Sequence, residues 1–311
     1  MERRRALTGL GAVLTASAIV GFALSPAAQA TDSAPRAEAE SPRVLAYYQT
    51  QYQDDSYVSP LPLKGVATDV EVAAFHLNDD GSIHLNDEPP SDPRFDQVWK
   101  DVAELQESGT KVHALLGGAA QGTYQNLAED FEKYYQPLHD TVEKYGLDGV
   151  DLDIEETFSL ENTKKLIDRL RTDFGEDFHV ILTPVASDLA GSSNFSGGFD
   201  YAQLEREAGD KISFYTGQFY CGWGDLGDTT SYDNVIDNGF SPSRVVAGAL
   251  TNPANCQGYV EPDELAATLG SLKDRHQGFG GVAGWEYFNA VPVNGDGPDS
   301  WYAHVRQAAG G

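Results

Sequence analysis

The chain has 311 residues, a formal net charge of −27 at pH 7, 11% aromatic side chains and two cysteines. A surface this acidic repels nucleic acid and anionic membranes, so neither is an expected partner. Two cysteines without clustered histidines argue against a metal site, whereas a neutral ligand such as a glycan is compatible with the charge.

Arg3, Arg4 and Arg5 precede an apolar run from about Leu10 to Leu24, and Ala28-Gln29-Ala30 offers a small-x-small cleavage site. That order is the pattern of a secretory signal peptide over 1–30. The run is short for a membrane span and carries Gly, Thr and Ser. Its paired arginines raise a twin-arginine export route. Residues 31–42 are polar and small and read as a disordered lead-in. From residue 43 to 311 the sequence reads as one domain, large enough for a single sizeable core.

Eight strand candidates follow in order: RVLAYY at 43–48, EVAAFHL at 71–77, KVHALLGG at 111–118 and DGVDLDIE at 148–155, then FHVILTPV at 178–185, KISFYTGQFY at 211–220, RVVAGAL at 244–250 and FGGVAGWEYF at 279–288. Amphipathic helices are expected between several of them. PRFDQVWKDVAELQESG ends at a glycine, and LAEDFEKYYQPLHDTVEKYG is interrupted by Pro137. SLENTKKLIDRLRTDFG has Ser159 as N-cap and Leu166, Ile167 and Leu170 as its packing face, and ELAATLGSLKDRHQ fills the last gap. Strand–helix alternation repeated this often predicts an α/β fold, a closed (β/α)8 TIM barrel. A doubly wound sheet would place a glycine-rich turn after the first strand, where this chain has YYQTQYQDD.

Within the fourth strand, Asp151, Asp153 and Glu155 alternate with Val150, Leu152 and Ile154. On an extended chain the three carboxylates share one side and raise one another's proton affinity. A solvated acidic loop or a cation site are the bland alternatives. On a barrel, however, active groups sit at the C-terminal strand ends, and Glu155 closes this strand. Glu155 is the expected acid/base, with Asp153 about 7 Å below it along the backbone. Two carboxylates on one strand are badly placed to flank a sugar. They suit a substrate whose own 2-acetamido oxygen attacks the anomeric carbon, with Asp153 orienting that group and Asp151 holding or sharing a proton. Cys221 and Cys256 are read either as one disulfide of an exported protein or as two separate thiols.

The stretch DGVDLDIE resembles the DGxDxDxE signature of glycoside hydrolase family 18, barrel enzymes that use substrate-assisted retention. The resemblance implies that Glu155 is the proton donor, Asp153 the acetamido-orienting group, Asp151 its support and Asp148 a structural residue. Where the family commonly has SxGG, this chain has Leu115-Leu116-Gly117-Gly118, so the glycines remain and the serine does not. YYQTQYQ, HLNDEPPSDPRF, LTPVASDLAGSSNFSGGFDYAQLE, GQFYCGWG and GGVAGWEYFN are similar to the single-domain secreted endo-β-N-acetylglucosaminidases of filamentous fungi and their bacterial relatives. This implies cleavage of the chitobiose core of N-linked glycans. The alternatives are a chitinase acting on chitooligosaccharides by the same chemistry and a non-catalytic glycan-binding barrel.

By the same resemblance, Tyr220 bonds the acetamido oxygen, Trp285 forms the floor under the −1 sugar, and Tyr47 is the first-strand aromatic of that pocket. Gln218 is expected to bond the substrate or Asp153, Trp223 to stack on sugars, and Asn289 and Glu286 to be polar neighbours. No cofactor is implied, and a monomer is expected. His76, His84 and the other histidines are read as satisfied core or loop groups. Asn194 opens a formal glycosylation triplet with Ser196.

Overall fold

The computed structural model describes residues 41–295 and 297–311. The expected signal peptide and the lead-in to residue 40 lie outside the described residues. Runs rich in Val, Leu, Ile and Ala supply eight strands: β1 (Arg43–Tyr48), β2 (Asp69–Leu77), β3 (Lys111–Gly117), β4 (Gly149–Asp153), β5 (His179–Leu182), β6 (Phe214–Gln218), β7 (Val245–Leu250) and β8 (Gly281–Trp285). Each pairs in parallel with its sequence neighbours, and β1 pairs with both β2 and β8. The ring is therefore closed, the (β/α)8 barrel expected from the alternation. Almost every strand residue is buried, as strands covered on both faces require.

The helices are α1 (Asp96–Glu107), α2 (Thr123–Glu129), α3 (Phe131–Tyr145), α4 (Leu160–Phe174), α5 (Ala186–Leu189), α6 (Tyr201–Ala208), α7 (Thr230–Asp237), α8 (Pro262–Arg275) and α9 (Asp299–Ala309). Among the described residues, none is long and apolar enough to cross a membrane. Helix α4 begins as its sequence dictates: the Asn162 backbone N–H donates to Ser159 Oγ at 3.2 Å, and Leu166, Ile167 and Leu170 are fully buried. Pro137 does not interrupt its helix. It lies inside a continuous α3, and the break falls at Asp130, whose extended backbone separates α2 from α3 and whose side chain caps Lys133 N. Helices α5, α6, α7 and α9 escaped the sequence reading because most are too short to build a convincing apolar period.

Strand ends differ from expectation in a way that matters for the site. β4 stops at Asp153, so Glu155 lies two residues beyond the ladder and does not close the strand. The reason is on β3: its last residue, Gly117, has φ +96°, and the final bond across the pair runs from Gly118 N to Asp153 O at 2.9 Å. Past that bond β4 has no ladder partner on that side. Tyr220 likewise stands two residues past the end of β6.

Two apolar layers hold the barrel. The larger cluster packs the outward faces of the strands against the helices. The smaller fills the interior with Leu45, Tyr47, Ala73, Leu115, Ile181, Phe214, Val246 and Ala283, capped by Trp285.

Candidate active site

Alternation along β4 aims Asp151 and Asp153 into the barrel, while Val150 and Leu152 point to the outer core. Asp151 is fully buried. Thr183, just past β5, donates its hydroxyl to Asp151 Oδ2 at 2.5 Å and also lies 3.2 Å from Tyr47 Oη. Asp151 Oδ1 has no hydrogen-bond partner. Burial, followed by the charge of Glu71, pushes the Asp151 carboxyl well above its ordinary range. Asp153 is also raised well above it, first by burial and then by Glu155 and Asp151. Glu155, half-buried, is raised by burial against the opposing pull of Gln218.

The side-chain amide of Gln218 joins these groups. Its nitrogen lies 3.2 Å from Asp153 Oδ1, 3.2 Å from Glu155 Oε1 and 3.0 Å from the Thr183 carbonyl. An amide nitrogen has two hydrogens, so three acceptors cannot all be satisfied at once. One of the three acceptors is left short of a full bond, and an incoming N–H or a proton can reach a carboxylate oxygen without breaking a satisfied one.

Gly117 and Gly118 explain why the third strand tolerates no larger residue here. A Cβ on Gly117 would stand 2.5 Å from Asp153 O, and both glycines have positive φ. Leu115 packs in the apolar interior layer. The hydroxyl on Asp151 comes from Thr183, which the sequence reading missed; its one signal was a Thr directly after the apolar run of β5.

Tyr47 is buried and meets Trp285 edge-on at 5.4 Å between ring centroids. Trp285 ends β8 and remains partly exposed. Tyr220 is buried, and burial, then Asp153, then Glu155 hold its hydroxyl well above the usual phenol range, so it is a neutral donor. Cys221 and Cys256 form a disulfide with Cα atoms 5.6 Å apart, tying the loop after β6, which carries Trp223, to the loop after β7. Trp223 pairs with Phe195 at 4.6 Å, and Phe195 is 42% exposed. Asp188 fixes that loop by accepting from the backbone N–H groups of Phe195 and Ser196 at 3.0 and 2.6 Å. Phe195 was not foreseen.

Three residues named from the sequence are held by structural partners. Glu286 accepts from Gln49 N at 3.2 Å, Thr50 N at 3.0 Å and Thr50 Oγ1 at 2.7 Å, and so anchors the loop after β1. Asn289 donates to Asn255 Oδ1 at 2.6 Å and braces the loop after β7. Asp148 lies before β4, at the opposite end of the barrel from Glu155. Burial raises its carboxyl, but bonds from Gln106 and Lys111 outweigh that and hold it below the usual range. Glu156, next to the acid/base candidate, receives the Gly122 and Tyr124 backbone N–H groups at 2.9 and 2.7 Å and fixes the start of α2.

Loops after β1, β2 and β3 enclose a cleft of about 1070 Å³, with Gln49, Thr50, Asn86, Asp87, Gln121 and Asn126 among its lining. It does not include the carboxylates of β4, but it opens from the same C-terminal face of the barrel.

Stacked carboxylates, a neutral tyrosine and an indole converging at the C-terminal mouth of a parallel barrel define a barrel glycosidase. The family model of glycosyl hydrolases family 18 matches residues 43–248. A chitinase from Aspergillus fumigatus is 47% identical in sequence, with a TM-score of 0.79 over 86% of this chain and 99% of that one. A fungal endo-β-N-acetylglucosaminidase of the same family is 41% identical, with a TM-score of 0.81 over 86% of this chain and 98% of that one. Chitinase 2 of Rhizopus oligosporus is 28% identical over 209 residues, covering 61% of this chain and 36% of the relative, so the match spans about a third of that longer protein. The chain belongs to glycosyl hydrolase family 18.

Proposed function

We propose that this enzyme is an endo-β-N-acetylglucosaminidase that cuts the β-1,4 bond of the N,N'-diacetylchitobiose core of N-linked, high-mannose glycans with retention of configuration. The sugar's acetamido oxygen attacks its own anomeric carbon. Asp153, freed from Gln218, accepts the acetamido N–H and stabilises the positive charge of the oxazolinium-like intermediate. Glu155, raised by burial, begins protonated and delivers its proton to the leaving oxygen; as a carboxylate it then deprotonates the attacking water. Tyr220 donates to the acetamido oxygen, and Trp285 with Tyr47 forms the apolar floor that excludes water. Asp151 supplies or withholds a proton beneath Asp153. No metal or redox step enters this sequence. The signal-like N-terminus supports an exported enzyme.

The observation that carries the choice of substrate is the polar cleft beside the carboxylates. Its lining is mostly amide, hydroxyl and acidic groups, with Tyr52 and Phe95 as separate aromatics, and suits a branched, hydroxyl-rich mannose cap, whereas a polymer cleft would call for a row of aromatic faces. A chitinase is the second reading, favoured by the 47% identity to the Aspergillus fumigatus chitinase. Incubation with a high-mannose glycoprotein and with a chitin oligosaccharide, followed by mass analysis, separates them. Release of an intact glycan ending in one reducing N-acetylglucosamine is expected. Cleavage of the chitin oligomer alone would move the assignment to chitinase, and a Glu155→Gln variant that hydrolyses at the wild-type rate would end both.

A further inference from the structure

Below Asp151 the barrel interior is not wholly apolar. β2 sends Glu71 inward in register with Tyr47 of β1 and His113 of β3, and His113 is in register with Gly149, which pairs in turn with His179 of β5. Gly149 lets the two imidazoles meet across it. A Cβ there would stand 2.6 Å from His179 Cβ and 2.8 Å from His113 Cδ2. His113 Nε2 consequently lies 3.0 Å from His179 Nδ1, and its Nδ1 lies 3.1 Å from Glu71 Oε1. Arg43 closes the base of the barrel against Asp69 at 3.2 Å.

Glu71 and Asp151 are both completely buried, and each has one oxygen without a partner, Oε2 and Oδ1 respectively. The charge of Glu71 raises the Asp151 carboxyl, so the two buried groups oppose each other's ionisation. The competition is unequal. Both histidines are held neutral by burial, His179 down to about 4, so His113 can keep its Nδ1–H and donate it to a charged Glu71. Burial and then Asp69 push the Glu71 carboxyl up, and Arg43, which pairs with Asp69, opposes them. Asp151 faces neutral hydroxyls only, Thr183 directly and Tyr47 beside it, with Asp153 above it.

We propose that Glu71 is a positioning residue for the catalytic carboxylates: it carries the negative charge of the barrel interior, oriented by His113, and thereby keeps Asp151 protonated beneath Asp153. The inference rests on the proposed retaining mechanism for its catalytic meaning, but its physical content concerns Asp151 alone. With Asp151 neutral, Asp153 bears its charge without a second carboxylate directly below it.

The test is a pH titration of the aspartate side chains by carboxyl 13C NMR, in parallel with the pH profile of kcat/KM on whichever acetamido glycan the enzyme cleaves. In Glu71→Gln the competing charge is gone, so Asp151 titrates lower and the alkaline limb of the profile, where protonated Asp151 is lost, follows it downward, by about one pH unit. Glu71→Asp restores a carboxyl and returns both toward wild type. His113→Phe, which keeps the ring's bulk but removes the donor to Glu71, moves Asp151 in the same direction as Glu71→Gln and substitutes for it if that variant does not fold. An Asp151 titration unmoved in these variants, or a uniform loss of kcat/KM at every pH, would overturn the proposal. A protein inactive on all acetamido glycans would defeat the proposed function, yet the NMR titration would still decide the role of Glu71.

Discussion

Because the Gln218 amide has two hydrogens for three acceptors, a substrate acetamido group that takes over Asp153 relieves a frustrated hydrogen bond instead of breaking a satisfied one. Glu155 then depends less on its neighbours than on its own proton. Glu155→Gln keeps the shape and removes that proton, so kcat should fall by about 10²–10⁴-fold, with KM nearly unchanged in steady-state assays. Thr183→Val tests a different link. It removes the hydroxyl on Asp151 Oδ2 and leaves a buried carboxyl with no donor, a cost of about 1–3 kcal/mol in chemical denaturation. Thr183→Ser should recover most of it. The three carboxylates were legible from the sequence because period-two alternation of acidic and apolar residues has few structural uses. Thr183, Glu71 and His113 were not, since each is an ordinary residue on or just past its own strand. Only the parallel register between β2, β3, β4 and β5, built from segments far apart in sequence, makes them neighbours.

At the scale of the elements, runs of Val, Leu, Ile and Ala were enough to find the eight barrel strands, because burial on both faces leaves little room for polar residues. Their ends were misjudged where a glycine with positive φ stops the ladder, as at Gly117, since the apolar pattern in Ile154 and Phe219 continues past the last pairing bond. The opposite error occurred in α3. Proline was read as a breaker, but packing of Tyr134, Tyr135, Leu138 and Val142 against the barrel holds the helix through Pro137. If packing overrides local preference there, relieving the local cost should be visible. Pro137→Ala restores a backbone donor toward the preceding turn and should raise stability by about 1–2 kcal/mol, measured as a higher denaturation midpoint at unchanged slope. Gly149→Ala should act in the other direction. Its Cβ meets the backbone and Cβ of His179 and the imidazole of His113, so one of β4 and β5 must shift, and the melting temperature should drop together with kcat.

The molecule as a whole sets two families of titrating groups against each other. Asp151, Asp153, Glu71 and Glu155 have carboxyls raised on folding, so their contribution to stability is fully present below about pH 4, the unfolded carboxylate range, and is lost as pH rises through their folded values. His113 and His179 are lowered on folding; their contribution is present above about pH 6.5 and is lost as pH falls toward the folded value, about 4 for His179. Asp148 and Asp233, both lowered, add a further loss below about pH 4. Between about pH 4 and 6.5 the two families oppose one another, and above that window only the raised carboxyls still act. A net charge of −27 adds self-repulsion on the same alkaline side. Stability should therefore peak in mildly acidic solution and decline toward pH 8 and beyond. Salt should recover the part due to surface repulsion and leave the buried part untouched, because screening does not reach the barrel interior. Denaturation midpoints across pH 4–9 at two ionic strengths separate these terms. Asp151→Asn should flatten the salt-insensitive decline; if its slope matches that of the wild type, the buried carboxylates are not its source.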